Sequence, residues 1–309
     1  MQPSRALSAF FLLMVIAGSA TAQEAVKAEK PRPKFRWVNP LPEGKTFPGL
    51  RHGVYHSKLM DREVGYCIYL PPGYDAEENA ARRYPVVYYL HGGRPGGETK
   101  SIALSEDIDR TIRAGEVPPT IYVFVNGGHV SHYNYPKLDS PGETTFITEL
   151  IPHVDAAYRT IASRAGRGLE GFSQGGRGTA RHMCKYPELF CSAAPMGGGH
   201  QHEKRISENE GLEGEYRFAI GDNSYDLARR YAKKKGPKLN ILVVVGTKDF
   251  NYEANLEYME HLKSLGIDFQ HIIVEDAPHS ARIVYQKVGP RVMRFHAENF
   301  ARAAKEDDK

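Results

Sequence analysis

Gly171-Phe172-Ser173-Gln174-Gly175 (GFSQG, residues 171–175) is the stretch of sequence that decides the fold. It matches the pattern G-x-S-x-G, and it lies between a short predicted strand over residues 167–171 and a predicted helix over residues 174–186. A strand that turns sharply into a helix lifts the serine hydroxyl above the sheet and directs unpaired helix N–H groups towards it. The motif therefore predicts that Ser173 is a reactive nucleophile carried on an α/β fold.

Strands and helices alternate on both sides of this motif. Short apolar runs at residues 85–90, 120–125 and 239–245 are predicted as buried strands, and residues 191–195 and 269–274 are predicted as two further strands. Segments with helical spacing separate them, and residues 54–57 and 63–70 are predicted as an antiparallel pair ahead of them. This alternation predicts a mostly parallel twisted sheet with helices on both faces. Sites in such sheets lie beyond the carboxyl ends of the strands.

Two further polar residues follow strands at that predicted edge. Asp249 follows the strand LNILVVV, and His279 follows the next predicted strand, FQHIIV. The chain order Ser173, Asp249, His279 is that of α/β-hydrolases. It predicts a nucleophile, an acid that orients the imidazole, and a general base. Asp276 is the alternative acid, but it lies three residues before His279 and would have to fold back to reach it.

An oxyanion hole needs two N–H donors directed at the developing negative charge. The backbone N–H of Gln174, directly after the nucleophile, is predicted to be one of them. The other is predicted in the loop after the first parallel strand, which begins His91-Gly92-Gly93-Arg94. Gly93 is the preferred donor, with Gly92 and Arg94 as alternatives, and His91 and Gly92 are also predicted to contact substrate. A plain βα turn is the other interpretation of this loop.

Two segments are predicted to surround the site. Tyr133 and Tyr135 follow the second parallel strand, near the expected mouth of the site, where a ring could stack on a sugar or an aromatic acyl group. Packing on the protein surface is the alternative for both rings. Residues 196–238 are long, glycine-rich and charged, and they are predicted to form a cap-like insertion. The alternative is a surface insertion with no substrate contact.

The N-terminus has the pattern of a secretory signal peptide. Arg5 precedes a short apolar run over residues 10–17, and Ala20-Thr21-Ala22 is a small-residue cleavage site. The apolar run is shorter than the roughly 20 residues that span a membrane. We therefore expect cleavage after Ala22, no membrane span, and a secreted or periplasmic protein. Residues 23–50 are predicted as a linker or extended lead-in, and residues 51–305 as the α/β domain.

The sequence gives little indication of a nucleic-acid partner, a metal site or a disulfide. The formal net charge is +4, and removal of the leader lowers it to +3, which is too weak a bias to indicate a nucleic-acid partner. His200-x-His202 lacks a third ligand at fitting spacing, so an exposed loop is favoured and no metal site is predicted. Of the three cysteines, Cys184 and Cys191 could form a disulfide, but buried thiols are favoured.

The chain also resembles a known family of α/β-hydrolases. The matching segments are IYLPPGYD (68–75), RYPVVYYLHGG (83–93), TELIPHVDAAYRT (148–160), EGFSQGGRGT (170–179), VVGTKDFNYEAN (244–255) and APHS (277–280). They resemble the esterase family that is related to esterase D, to carbohydrate feruloyl and acetyl esterases, and to mycolyltransferases. The resemblance implies an acyl-serine mechanism at Ser173, Asp249 and His279, without a metal or an organic cofactor.

The resemblance and the predicted leader together suggest a secreted serine carboxylic-ester hydrolase. An acylated carbohydrate, cleaved by acetyl or feruloyl esterase activity, is the expected substrate. An acyltransferase of the same fold, an enterochelin-type esterase and a non-catalytic binding protein are the alternatives.

Overall fold

An eight-stranded sheet runs through the computed structural model, which describes residues 34–130, 132–234 and 236–307. The strands of this sheet and of two small hairpins are β1 (Leu50–Ser57), β2 (Arg62–Tyr69), β3 (Val86–Leu90), β4 (Ile121–Val125), β5 (Asn134–Tyr135), β6 (Ser140–Pro141), β7 (Arg167–Phe172), β8 (Ser192–Met196), β9 (Leu212–Glu213), β10 (Tyr216–Arg217), β11 (Asn240–Lys248) and β12 (Gln270–Pro278). The predicted leader lies outside the described residues.

The helices alternate with these strands along the chain. They are α1 (Leu104–Arg113), α2 (Gly142–Thr144), α3 (Ile151–Ala157), α4 (Gln174–Lys185), α5 (His200–Glu208), α6 (Ser224–Lys233), α7 (Tyr252–Ser264) and α8 (Ala281–Asp307). A π-helical turn, Thr145–Leu150, joins α2 to α3, and short 3-10 turns lie at Glu77–Asn79, Pro136–Leu138 and Arg164–Gly166.

The main sheet has the order β1-β2-β4-β3-β7-β8-β11-β12. β1 and β2 are antiparallel to each other, and β2 is antiparallel to β4, whereas the pairs from β4 to β12 are parallel. The predicted α/β fold with a mostly parallel sheet is confirmed. Because the parallel strands share one direction, the ends of β3, β7, β11 and β12 lie at one edge of the sheet.

Helices cover both faces of the sheet because its central strands are apolar on both sides. In β3, Val87 and Tyr89 belong to one apolar cluster with side chains of α1 and α8. Val86 and Tyr88 belong to another, with Phe146 and Leu150 of the π-helical turn and Val154 of α3. A third cluster joins α4, α6 and α7 over β8 and β11.

The predicted cap-like insertion divides into two parts. Its second half contains α6, whose Leu227 and Ala228 are buried in the cluster with α4 and α7, so that helix belongs to the layer covering the sheet. The β9–β10 hairpin lies elsewhere: Glu213 is 3.4 Å from the Arg94 guanidinium, and that guanidinium lies 4.5 Å from the centre of the Tyr216 ring. The hairpin therefore borders the loop after β3, whereas α6 covers the sheet.

The part of the lead-in that the structure describes packs on the domain through Trp37. The Trp37 side chain is buried, and the Trp37 backbone carbonyl oxygen accepts a hydrogen bond of 2.7 Å from the Gly65 N–H. Cys184 and Cys191 are also buried, and no disulfide joins these two described residues. None of the helices in the described part of the chain is long and apolar enough to cross a membrane.

Candidate active site

Ser173 lies on the sharp turn between β7 and α4, as the motif predicts. Its φ of 60° and ψ of −113° fall in a region that side chains other than glycine rarely adopt. At this turn the chain passes very close to the end of β3. A Cβ on Gly175 would lie 1.8 Å from the Leu90 carbonyl oxygen, and one on Gly171 would lie 2.7 Å from the same atom. Both glycines of the motif are therefore required by close backbone approach.

The structure brings the three predicted catalytic side chains together at the carboxyl edge of the sheet. His279 Nε2 is 2.8 Å from Ser173 Oγ, and His279 Nδ1 is 2.8 and 2.9 Å from the two carboxylate oxygens of Asp249. Asp276 points elsewhere, since its carboxylate is 2.6 Å from Lys248 Nζ and both side chains are exposed. The pairing of β11 with β12 sets this geometry by placing Asp249 and His279 at neighbouring strand ends.

A set of amide contacts fixes Asp249 in front of the imidazole. The Asn251 N–H donates to Asp249 Oδ1 at 2.8 Å, and the Asn251 side chain donates to the Gly197 carbonyl oxygen at 2.9 Å. One turn later, the Asn255 side chain donates to the Gly198 carbonyl oxygen at 2.9 Å. These contacts tie the start of α7 to the loop after β8. Neither asparagine is predicted from the sequence, although Asn251 directly before the predicted helix and Asn255 in its first turn are four residues apart and face the same side.

The loop after β3 lies directly against the nucleophile. A Cβ on Gly92 would lie 3.2 Å from the Ser173 Cβ, and Gly93 has a φ of 69°, which favours glycine. The backbone N–H groups of Gln174 and of this loop are thus both close to Ser173. The choice of Gly93 over Gly92 or Arg94 as the second oxyanion donor stays a prediction.

His91 has a different place from the one predicted. It is buried, and its Nε2 accepts hydrogen bonds from the Gly127 N–H at 3.1 Å and the Gly97 N–H at 3.3 Å. Burial, then the nearby His132 and Lys100, lowers the pKa of His91 well below its ordinary value, so the ring is neutral and can accept. The expected substrate contact is corrected: His91 holds the loop from beneath.

Tyr133 and Tyr135 also lie in the interior. The Tyr133 hydroxyl donates to Glu203, and its ring is covered by the Arg181 guanidinium, 3.3 Å from the ring centre. Tyr135 packs on Phe218, with the ring centres 6.0 Å apart. Their exposed fractions are 1% and 5%, so neither ring presents a face to a substrate. Both interpretations from the sequence, stacking on a substrate and packing on the protein surface, are therefore corrected. The rings are covered by Phe218 of the insertion and Arg181 of α4.

A buried ion pair one turn along α4 was not predicted. Arg177 Nε donates to Glu203 Oε1 at 2.6 Å, and Glu203 Oε2 accepts from the Ser224 N–H at 2.7 Å. Both charged side chains are almost completely buried. The pair ties α4, which begins after the nucleophile, to α5 and α6. An arginine on the apolar face of a predicted helix indicates a buried ion pair, because a buried charge needs a partner.

His200 and His202 do not lie in an exposed loop. They are in the first turn of α5, where His200 is buried and stacked on Tyr258 with ring centres 4.0 Å apart. His202 Nδ1 is 2.7 Å from a carboxylate oxygen of Glu213. Among the described residues no group of three or more histidine, cysteine, aspartate and glutamate side chains is arranged to hold a metal ion.

One aromatic ring beside the site is open to solvent. Phe250 directly follows Asp249, its ring centre is 4.0 Å from that of His279, and the residue is 76% exposed. Phe172 also contacts the imidazole, at 4.8 Å between ring centres, but it is buried. The residues predicted at the site mouth are tyrosines, whereas the structure places this phenylalanine there.

The parallel sheet, the strained serine turn and the acid and base at neighbouring strand ends define an α/β-hydrolase fold. Comparison with known families agrees, since the model of the family described as "Putative esterase" matches residues 57–266. The chain belongs to this esterase family.

Individual proteins give the same picture. The chain is 35% identical over 155 residues to an esterase from Mycobacterium tuberculosis (strain H37Rv), which covers 49% of this chain and 32% of that protein. It is 27% identical over 151 residues to an endo-1,4-beta-xylanase/feruloyl esterase from Xylanibacter ruminicola, covering 46% of this chain and 20% of that protein. The chain thus spans about a third or less of the length of these relatives.

Solved structures share the fold over most of the chain. A ferulic acid esterase superposes with a TM-score of 0.67 and 22% sequence identity, covering 82% of this chain and 100% of that one.

Proposed function

We propose that the protein is a serine carboxylic-ester hydrolase that works through an acyl-serine intermediate. The observation that carries the proposal is the continuous chain of contacts from Asp249 through His279 to Ser173, at 2.8 Å on either side of the imidazole. Nucleophile, base and orienting acid are within hydrogen-bond reach in the order that such catalysis needs.

Each step of the reaction follows from this geometry. Ser173 Oγ attacks the ester carbonyl carbon while its proton passes to His279 Nε2. The carbonyl oxygen becomes an oxyanion, which the Gln174 N–H and an N–H of the loop after β3 stabilise. The bond to the alcohol breaks as His279 returns the proton to the leaving oxygen, and water then cleaves the acyl-serine by the same route. Asp249 holds the Nδ1–H tautomer and stabilises the imidazolium.

The nucleophile is tested by replacement and by covalent labelling. We expect Ser173→Ala to fold normally and to lose on the order of 10⁶ in kcat, by analogy with serine proteases. A fluorophosphonate probe should label the wild-type protein at Ser173 and leave the variant unlabelled. Retention of a tenth of wild-type turnover, or labelling at another residue, would refute the assignment.

We infer that the substrate is an acylated carbohydrate carrying an acetyl or feruloyl group. The support is the similarity to a relative named as a xylanase/feruloyl esterase and to a structure named as a ferulic acid esterase. The exposed Phe250 beside His279 offers an apolar face to a bulky alcohol such as a sugar chain.

A panel of esters tests this inference. Hydrolysis is measured on acetyl, feruloyl and long-chain acyl esters and on a thioester, each with and without free sugar as an acceptor. Preference for acetylated or feruloylated sugars over alkyl esters supports the inference. Preference for the long-chain ester or the thioester contradicts it, and acyl transfer to the added sugar would favour the acyltransferase.

We also propose that the protein is exported, on the basis of the leader pattern in residues 1–22. Expression with the native N-terminus should give a product that begins at Gln23 and lies outside the cytoplasm. N-terminal sequencing of the fractionated protein tests this, and a cytoplasmic product that still begins at Met1 would contradict it.

A further inference from the structure

Phe250 occupies an unusual position for an apolar side chain. It is 76% exposed, although a buried aromatic ring is one of the largest sources of hydrophobic stabilisation available to a fold. Its neighbours in sequence, Asp249 and Asn251, are buried and hold the site together. The chain therefore fixes the backbone of Phe250 rigidly while leaving its ring open to solvent beside the imidazole of His279.

The chemistry of ester cleavage says which part of a substrate lies there. His279 Nε2 must give its proton to the oxygen of the departing alcohol, so that oxygen lies within hydrogen-bond distance of Nε2 during acylation. The carbonyl oxygen points the other way, towards the N–H groups around Gln174 and the loop after β3. The group attached to the leaving oxygen must consequently extend over the residues that flank His279. Phe250 is an exposed apolar residue in contact with that ring.

We infer that Phe250 forms the binding platform for the alcohol part of the substrate, on which a sugar ring packs its apolar face while the acyl group lies elsewhere. The inference rests on the proposed esterase function and adds to it the division of the site into an alcohol side at Phe250 and an acyl side.

This division has a kinetic consequence. The alcohol leaves when the acyl-serine forms, so a residue that contacts only the alcohol acts on acylation and not on deacylation. A residue that contacts the acyl group acts on both steps. A ring that merely shields His279 from water would change both steps and would also shift the pH profile of kcat/KM, because the solvation of the imidazole would change.

The experiment compares Phe250→Ala with the wild type on two esters of one acyl group, methyl ferulate and feruloyl-arabinofuranose, or the acetyl pair if acetyl esters are preferred. We expect kcat/KM on the sugar ester to fall about tenfold more than on the methyl ester, the size of effect typical of one apolar contact. The deacylation rate, measured after a burst with a p-nitrophenyl ester of the same acyl group, should stay at the wild-type value, because the alcohol has already left. Phe250→Trp should restore the sugar preference.

Leu59→Ala is the matched control. Leu59 is an exposed apolar residue, 52% exposed, at the turn between β1 and β2, and β1 forms the opposite edge of the sheet from β12. Its replacement should leave both esters unaffected.

Equal losses on both esters, slower deacylation, a shifted pH profile, or no effect of Phe250→Ala would each overturn the inference. A wild-type protein that cleaves none of the esters would instead refute the proposed function, so the two failures can be told apart.

Discussion

His279 and the buried histidines beneath the neighbouring loops show how one side chain is used in two ways. His279 lies at the carboxyl edge of the sheet with 17% of its side chain exposed, between a carboxylate and a hydroxyl. His91 and His132 lie nearby but are almost completely buried, and their nitrogens contact backbone atoms. Burial lowers the pKa of His132 to about 3. The partner atoms, and not the residue type, decide whether a histidine can exchange a proton or only hold a loop.

The largest effect is expected at His279, the partly exposed histidine of this comparison. We expect His279→Ala to lose on the order of 10⁶ in kcat, because His279 Nε2 is the base in contact with the Ser173 hydroxyl. Its melting temperature should fall only modestly, since the side chain is partly exposed and Asp249 keeps the hydrogen bond from the Asn251 N–H. Steady-state kinetics and thermal unfolding measure the two quantities. A variant with a tenth of wild-type activity would show that another base serves.

The carboxylate that faces His279 comes next. We expect Asp249→Asn to lose about 10⁴ in kcat, because an amide favours the wrong imidazole tautomer. Asp276→Asn is the matched control and should lose less than about tenfold, because its carboxylate faces Lys248 and not the imidazole. Both variants are assayed on one chromogenic ester. The reverse order of activities would assign the acid to Asp276.

A buried histidine should affect stability more than chemistry. We expect His91→Ala to lower the free energy of unfolding by about 2–4 kcal/mol, since the Gly127 and Gly97 N–H groups lose their acceptor and a cavity remains. Urea unfolding gives the value. His56→Ala, at an exposed histidine on β1, should stay within about 0.5 kcal/mol of the wild type. A fall in kcat as large as that of His279→Ala, with no loss of stability, would contradict the comparison.

The smallest expected effect is on the pH dependence of stability, through the buried His200. Burial, and then the charge of Arg177, lowers the pKa of His200 to about 3. Below the unfolded pKa near 6.5, the unfolded chain binds a proton at this residue that the folded chain excludes, so stability falls as pH drops from about 6.5 towards 3.

The variant His200→Leu removes this single contribution. We expect the slope of unfolding free energy against pH, measured by urea unfolding between pH 6 and 4, to become shallower by about 1 kcal/mol per pH unit. An unchanged slope would mean that His200 is protonated in the folded protein.

Features that depend on neighbouring residues in the chain were predictable from the sequence. The buried strands are apolar runs with β-branched and aromatic residues, and their order along the chain identified Ser173, Asp249 and His279 as one site. The bounds shifted by a few residues, most of all in β12, which continues to Pro278. The strand β12 continues this far because Gly246 lets β11 lie close to it. A Cβ on Gly246 would lie 2.1 Å from the Ala277 carbonyl oxygen.

Features that depend on which way a loop side chain turns were not predictable. Tyr133 was expected at the site mouth because it follows β4, but Arg181 and Phe218 come from distant parts of the chain to cover its ring. His91 follows β3 in the same way, and its direction is set by the N–H groups of Gly97 and Gly127. Phe250 was missed because apolar side chains are expected inside, and nothing in its own segment shows that it is exposed.

The approach of Gly175 to the end of β3 links the two halves of the site mechanically. The Leu90 carbonyl oxygen lies where a Cβ of residue 175 would be, and Leu90 leads directly into the loop that begins at His91. We therefore expect a movement of the end of β3 to shift both the serine turn and the loop facing it. A larger residue at position 175 would collide with the Leu90 carbonyl oxygen and push the serine turn away from the loop after β3.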